Sequence, residues 1–382
     1  MAVATLKFFT TRFRVKSVIL FTLMFLYICF SLFLFFQWVA PSLDGRTGQH
    51  IAADSGIYMY FADGLRSGNI NPYMLAALYS FPNTLWAPVL LALALKNTFA
   101  VVVVDYALFF LALVLLKKSY SFSTWVFVAL LLLNATTTIS LLSVNKEIID
   151  LFAVSIFLFA NRRSSKTMLL LALLLALVNR YEICLVMIVF MIAMSKINPW
   201  VRRRGLTLAI VIILLSIMLP LFASRSLNLR FEEANGSHAV AWLDSLEMHY
   251  LYGIALFPKI MENLFGMILN ISTLASYDTS DPANSYILLS NNLATAFVFV
   301  ILAIKRGFSL RSDLIYFAML GCTFVAVSLV IQPRYFYFVY VLLCLEVARI
   351  VVREPAGATS LPKDGHGGRR ISLSGYKGAT LG

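Results

Sequence analysis

The chain has 382 residues, of which 60% are hydrophobic and only 13% charged, and its mean hydropathy is +0.85. A soluble domain carries roughly a quarter charged residues, so that class is excluded and a polytopic membrane protein is implied. The net charge of +13 does not indicate a nucleic-acid partner, because Lys and Arg fall in short clusters between apolar runs, as the positive-inside rule requires.

Lys7, Arg12, Arg14 and Lys16 precede an apolar run from Ser17 to Phe36. That run is too long for a signal-peptide core and no small-residue cleavage site follows it, so it is expected to be a retained first span, about 17–39. The next polar stretch, Asp54 to Tyr73, holds two acids, four aromatics and three glycines. In a chain so poor in charge this concentration suggests the acidic part of an active site. A plain solvated connection between helices is the alternative. Residues 74–95 are apolar but broken by Pro82 and Pro88. A helix lying in the outer interface is expected there, because a full crossing would invert every later basic cluster. The clean run Thr98–Leu116, closed by Lys117 and Lys118, predicts span 2.

Three hairpins of one design follow. Residues 121–161 are interrupted by Asn145-Lys146-Glu147 and nearby Asp150. The run from Thr167 to Trp200 is interrupted by Asn179-Arg180-Tyr181-Glu182, and Leu314–Ala348 by Gln332-Pro333-Arg334-Tyr335. Each hairpin offers roughly 50–60 Å of helix at 1.5 Å per residue, barely two crossings of a ~30 Å core. The charged tips are therefore expected at the outer surface or slightly below it. Between the hairpins, spans of about 206–223 and 285–304 flank a loop whose 250–274 segment is expected to be interfacial or re-entrant. The acids of that loop are expected to be solvated, with Asp244 and His249 able to contact an acceptor.

This arrangement puts 22 of the 31 basic residues on the inner side with only four acids, a strong asymmetry for a rule that counts Lys and Arg. The predicted fold is all-α, with about ten transmembrane helices and interfacial helices in outer loops 40–97 and 224–284. Residues 1–353 form one transmembrane domain. The Gly-, Ser-, Lys- and Arg-rich tail 354–382 reads as disordered on the cytoplasmic side, which puts both termini in the cytoplasm.

Ionisable residues at bilayer depth are functional candidates. Here Lys146, Glu147, Arg180, Glu182 and Arg334 join Asp44, Asp54 and Asp63 on one face. Arg offers phosphate a planar fork and Lys a point charge. A carboxylate can act as general base or hold a divalent cation through oxygen. Each has a plainer reading: Lys146-Glu147 as a turn in water, Arg180 and Glu182 as a mutual salt bridge, Arg334-Tyr335 as part of an aromatic belt. Asp105, inside span 2, is ambiguous. The four Cys lie in apolar runs and the four His form no ligand pattern, so neither suggests a metal site.

The segment Asp54, Tyr58, Ala62, Gly68, Pro72 resembles the first outer loop of polytopic C-type glycosyltransferases, which use polyprenyl-phosphate-linked sugars. Arg334-Tyr335 resembles the Arg-Tyr start of a late span in that group. The Asn-Lys-Glu and Arg-x-Glu hairpins are similar to those of O-antigen, capsule or exopolysaccharide repeat-unit polymerases. The resemblance covers about 54–120, 145–182 and 332–345. It departs from the pattern at Ser55-Gly56, where many such enzymes carry a second acid beside the first.

The resemblance implies a glycosyltransferase or polysaccharide polymerase of a bacterial inner membrane, working in cell-envelope synthesis on the extracytoplasmic face. Its partners would be a polyprenyl-phosphate- or pyrophosphate-linked sugar, a glycan acceptor and the lipid bilayer, with no nucleic acid. Asp54 would be catalytic base or metal ligand, and Asp63 a weak substitute for a second acid. Lys146, Arg180 and Arg334 would bind the lipid pyrophosphate, with Tyr58 and Tyr335 beside the substrate. Glu147 and Glu182 would orient these cations or the sugar. A divalent cation, Mg or Mn, is compatible with the group, with Asp54 its one candidate ligand. A lipid-linked oligosaccharide flippase or other transporter is the alternative.

Overall fold

A computed structural model describes residues 22, 25–39, 53–68, 86–223, 238–269, 282–327 and 333–353. Asp44, the 74–85 part of the expected interfacial helix, Gln332 and the tail 354–382 lie outside these residues. So does the side chain of Asp54.

Every described element is helical. In chain order the helices are α1 (Phe25–Gln37), α2 (Ala53–Ser67), α3 (Trp86–Leu93), α4 (Thr98–Ser119), α5 (Thr124–Leu133), α6 (Ala135–Leu142) and α7 (Glu147–Arg163). They continue with α8 (Lys166–Asn179), α9 (Tyr181–Met194), α10 (Arg204–Ala223), α11 (His238–Met248), α12 (Tyr252–Leu269), α13 (Pro282–Ile304), α14 (Asp313–Val325) and α15 (Tyr337–Arg353). A 3-10 turn over Pro333–Phe336 leads into α15.

Among the described residues, four helices are long and apolar enough to cross a bilayer: α4, α10, α13 and the 334–352 segment. A fifth span results if α5 and α6 are counted as one. Helix length therefore supports four or five spans and leaves the expected ten unestablished. The hairpin halves explain the shortfall: α8 and α9 have 14 residues each, about 21 Å of helix against a ~30 Å hydrocarbon core.

The centre of the bundle is α15, in which Tyr337 to Ala348 are almost uniformly buried. It packs on α14, α5, α13 and α7, while α7 packs in turn on α4 and α8. The α14–α15 crossing is close, since a methyl group on Gly321 would lie 2.4 Å from Phe338 Cζ. At the periphery, α10 exposes Ile213, Leu214, Ile217 and Leu221, and α8 exposes Leu170, Leu174 and Leu177. Apolar side chains turned outward along whole helices suit a lipid surround rather than water.

α5 and α6 meet at 85° across Asn134. Such a break inside a bilayer requires side chains to take over the backbone groups it releases. Asn134 Oδ1 accepts from Thr136 N at 3.0 Å, and Asn291 Oδ1 accepts from the same N–H at 3.1 Å. Thr137 Oγ1 donates to Leu131 O at 2.7 Å, Tyr340 Oη to Leu130 O and Ser290 Oγ to Leu133 O.

Candidate functional site

The tips of the three hairpins meet in the fold. Asn179 ends α8, and Arg180 is extended (φ −158°, ψ 97°) before α9 begins. That single non-helical residue points its guanidinium at the first turn of α7. Arg180 Nη2 donates to Glu147 Oε1 at 3.1 Å, and its Nε lies 3.4 Å from Asp150 Oδ2. Asn179 Nδ2 ties the two tips together further, donating to Lys146 O at 2.9 Å and to Asp150 Oδ1 at 2.6 Å. Tyr335, from the third tip, places its ring 5.1 Å from the Arg180 guanidinium carbon and 5.5 Å from that of Arg334. Contacts of this kind add attraction through the ring quadrupole.

Two sequence alternatives are corrected here. Lys146 and Glu147 are not a turn in water, because their relative exposures are 5% and 0%, with Asp150 at 1% and Arg180 at 2%. Arg180 does not form its ion pair with Glu182; the two carboxylates of α7 lie nearer and take its guanidinium. The reason is register, since Glu147 and Asp150 are three apart on one helix face and embrace a single planar fork. Glu182 stays beside the network, half-buried, with Oε2 accepting no hydrogen bond.

The network is not saturated. Arg180 Nη1, Glu147 Oε2 and Asp150 Oδ2 are buried without a hydrogen-bond partner. Buried polar groups normally find one; Asp150 Oδ2 still faces Arg180 Nε across their ion pair, so Arg180 Nη1 and Glu147 Oε2 are the atoms left for a polar ligand. Sequence analysis left Asp105 ambiguous. It lies fully buried in α4, neither carboxylate oxygen accepts a hydrogen bond, and the charge of Glu147 is close enough to act on it.

The segment between α1 and α4 docks against this region. Tyr58 and Ala62 of α2, one turn apart, bury against Ala87 and Leu91 of α3, Val101 of α4 and Val144, two residues before Lys146. Position 54 falls in the first turn of α2, one turn before Tyr58. Asp63 points elsewhere: it is half-exposed and pairs with Lys96 at the entry to α4. The structure thus brings together Lys146, Glu147, Arg180, Arg334 and Tyr335, packs Tyr58 in the apolar cluster that includes Val144, and leaves Asp63 outside the group.

The 224–284 loop departs from expectation. Glu247 and Glu262 are buried, not solvated. Lys259 Nζ donates to Glu247 Oε1 at 2.5 Å, joining α12 to α11. Both oxygens of Glu262 lack hydrogen bonds. Burial pushes its carboxyl from 4.5 up to about 7. α12 packs against α13 and the Pro333–Phe336 turn, so this pair belongs to the same end of the bundle. His249 is exposed, with Nδ1 2.6 Å from Ser245 O. The Asp244 side chain lies outside the described residues. Sequence reasoning missed the buried ion pair; its only trace was the presence of Lys259 and Glu262 on an otherwise apolar helix.

No three His, Cys, Asp or Glu side chains converge as a metal site among the described residues. The side chain of Asp54, the one candidate ligand, is outside that set, and no chemical step is assigned to a divalent cation. No protein-family model, no curated protein and no solved structure matches the chain.

Proposed function

We propose that the chain is an integral-membrane glycosyltransferase or repeat-unit polymerase that moves sugars from a polyprenyl-phosphate- or pyrophosphate-linked donor. The observation that carries this reading is the meeting of Arg180, Arg334 and Tyr335 with the α7 carboxylates at one end of an apolar bundle. In the proposed reaction an acceptor hydroxyl displaces the lipid phosphate at the anomeric carbon. Asp54 takes the hydroxyl proton. Arg180, through its unused Nη1 edge, and Arg334 stabilise the departing phosphate charge in a site from which the apolar helices exclude water. Glu147 and Asp150 hold the Arg180 fork in place, and Glu182 orients the sugar. The topology proposed with it is a ten-span inner-membrane protein with both termini cytoplasmic, in which the shorter helices cross as hairpin halves.

A second reading, a lipid-linked oligosaccharide flippase or other transporter, is favoured by one specific observation. The charges are buried between helices, and two helix runs are broken, at Asn134 and Arg180, as in alternating-access proteins.

Full-length protein in nanodiscs, given a polyprenyl-diphosphate-linked oligosaccharide, separates the two. The enzyme reading expects release of the polyprenyl carrier together with a lengthened glycan. Arg334→Ala should lower that rate on the order of 10²-fold without loss of folded protein. Movement of the intact donor between leaflets of a proteoliposome, with its covalent structure unchanged, would replace this reading with transport.

A further inference from the structure

The opposite end of the bundle holds a second concentration of charge that the proposed reaction does not use. A cavity of about 470 Å³ opens between the end of α7, the α13–α14 connection and the end of α15. Arg162, Lys305, Arg306, Arg311 and Arg349 line it, with Asp313 and Glu346 as its acids. Both acids are already engaged. Asp313 lies 2.7 Å from Arg204 and 3.8 Å from Arg162, and Glu346 lies 2.8 Å from Arg349. The lining therefore keeps a clear positive excess, and Arg306 and Arg311 form no ion pair among the described residues. Arg311 also borders an adjoining cavity of about 500 Å³, which is lined by Arg202, Arg203 and Arg204.

The positive-inside rule accounts for cations at this end, but it asks only for charge in a loop. The geometry here is more specific. Arg162 and Arg349 both stand on the Tyr120 ring, 4.6 and 4.9 Å from its centroid. Arg204 Nη1 donates to the carbonyls of Leu310 and Arg311, each at 2.9 Å. The connecting loop is fixed as well. Arg306 takes a left-handed backbone (φ 50°), and a methyl group on Gly307 would lie 2.7 Å from Ile350 Cδ1. Asp313 and Glu346 neutralise part of this charge, and the cations in excess repel one another until a further anion joins them. Preset guanidinium forks match the oxygens of phosphate, and cavities of this size suit a small ligand. Basic pockets between helices at a membrane surface take anionic headgroups.

We propose that this basic basin is a binding site for the phosphate groups of an anionic ligand, as a phospholipid headgroup or a soluble diphosphate carries them. The site lies at the far end of α7 and α15 from the hairpin tips and is independent of the reaction proposed there.

The test uses full-length protein in nanodiscs of phosphatidylcholine with a minor share of phosphatidylglycerol, and native mass spectrometry to count retained lipid. Arg306→Asn with Arg311→Gln should lower phosphatidylglycerol retention at least tenfold. Lys118→Gln with Lys196→Gln, which removes two exposed cations outside the cavity, should leave it unchanged. Titration with inorganic pyrophosphate identifies the source. Displacement of the lipid assigns the basin to a soluble diphosphate, and persistence of the lipid assigns it to the headgroup. Equal loss in the two double variants, or no retention and no pyrophosphate binding in the parent, would overturn the proposal.

Discussion

The two ends of α7 and α15 carry charge in opposite styles. At the hairpin tips, Glu147, Asp150 and Arg180 are buried, and two chain segments, the start of α7 and the α8–α9 break, must meet before any one of them is neutralised. At the basic end the Arg349–Glu346 pair is buried, but the Arg162, Arg204 and Asp313 group is partly exposed and keeps contact with solvent. The first arrangement depends on exact partners, because a buried charge without one is costly. The second tolerates substitution, because water screens it. A membrane protein can therefore hold a chemical site at one end and a reversible ligand basin at the other without either dictating the stability of its counterpart.

The comparison breaks most readily at Arg180. Arg180→Ala leaves two buried carboxylates without a cation and should cost about 3–5 kcal/mol, seen as loss of folded protein in a thermal scan in detergent. Arg180→Lys, which keeps the charge and loses the fork, should retain the fold. If Arg180→Ala melts like the parent, the tip network is not structural and the contrast fails.

Gly321→Ala probes the contact between the ends, where the added methyl meets Phe338. Overpacking there should cost about 1–3 kcal/mol, and a double variant with Phe338→Leu should recover part of it.

Glu262 gives a pH signature to the tip end. Its folded value of about 7 lies above the ordinary 4.5, so the folded state binds the proton more tightly. Stability from this group is complete below about pH 4.5 and is lost as pH rises to about 7. Glu262→Gln should flatten that slope, gaining about 1–3 kcal/mol over the parent at pH 8 and nothing at pH 4. Thermal scans across that range in one detergent would check it.

The smallest effect is expected at the basic end. Asp313→Asn removes a partly exposed partner of Arg204 and Arg162, and should change stability by no more than about 1 kcal/mol. It should at the same time raise phosphatidylglycerol retention, since the basin becomes more positive. A large loss of stability would mean that the two ends are built alike after all.

The alternation of apolar runs with basic clusters makes the helical membrane class legible, and the hairpin-tip charges it singles out meet in the fold, whereas Asp63, grouped with them, pairs with Lys96 instead. Lys146-Glu147, Asn179-Arg180 and Arg334-Tyr335 stand out because each interrupts an otherwise unbroken apolar run, and they do converge. Sequence spacing does not reveal their partners. Glu182 is two residues from Arg180 and looks like its counterion, yet the helix break at 180 directs the guanidinium to α7 instead. Burial in the 224–284 loop is equally hidden, because Glu247 and Lys259 find each other only once α11 and α12 fold back together. The bend at Asn134 is marked in sequence only by Asn134 and the Thr136–Thr138 run, uncharged polar residues that do not register in a reading built on charge.

That bend has a mechanical corollary. The carbonyls it releases are held by Tyr340 from α15 and Ser290 from α13, and Asn291 of α13 shares the Thr136 amide. Asn134 and Thr137 hold the bend from within, and α13 and α15 supply the rest of its support from outside the segment. A synthetic peptide of residues 124–142 in a bilayer should straighten toward a single rod, whereas in the intact chain any shift of α13 or α15 would be converted into a change of elbow angle.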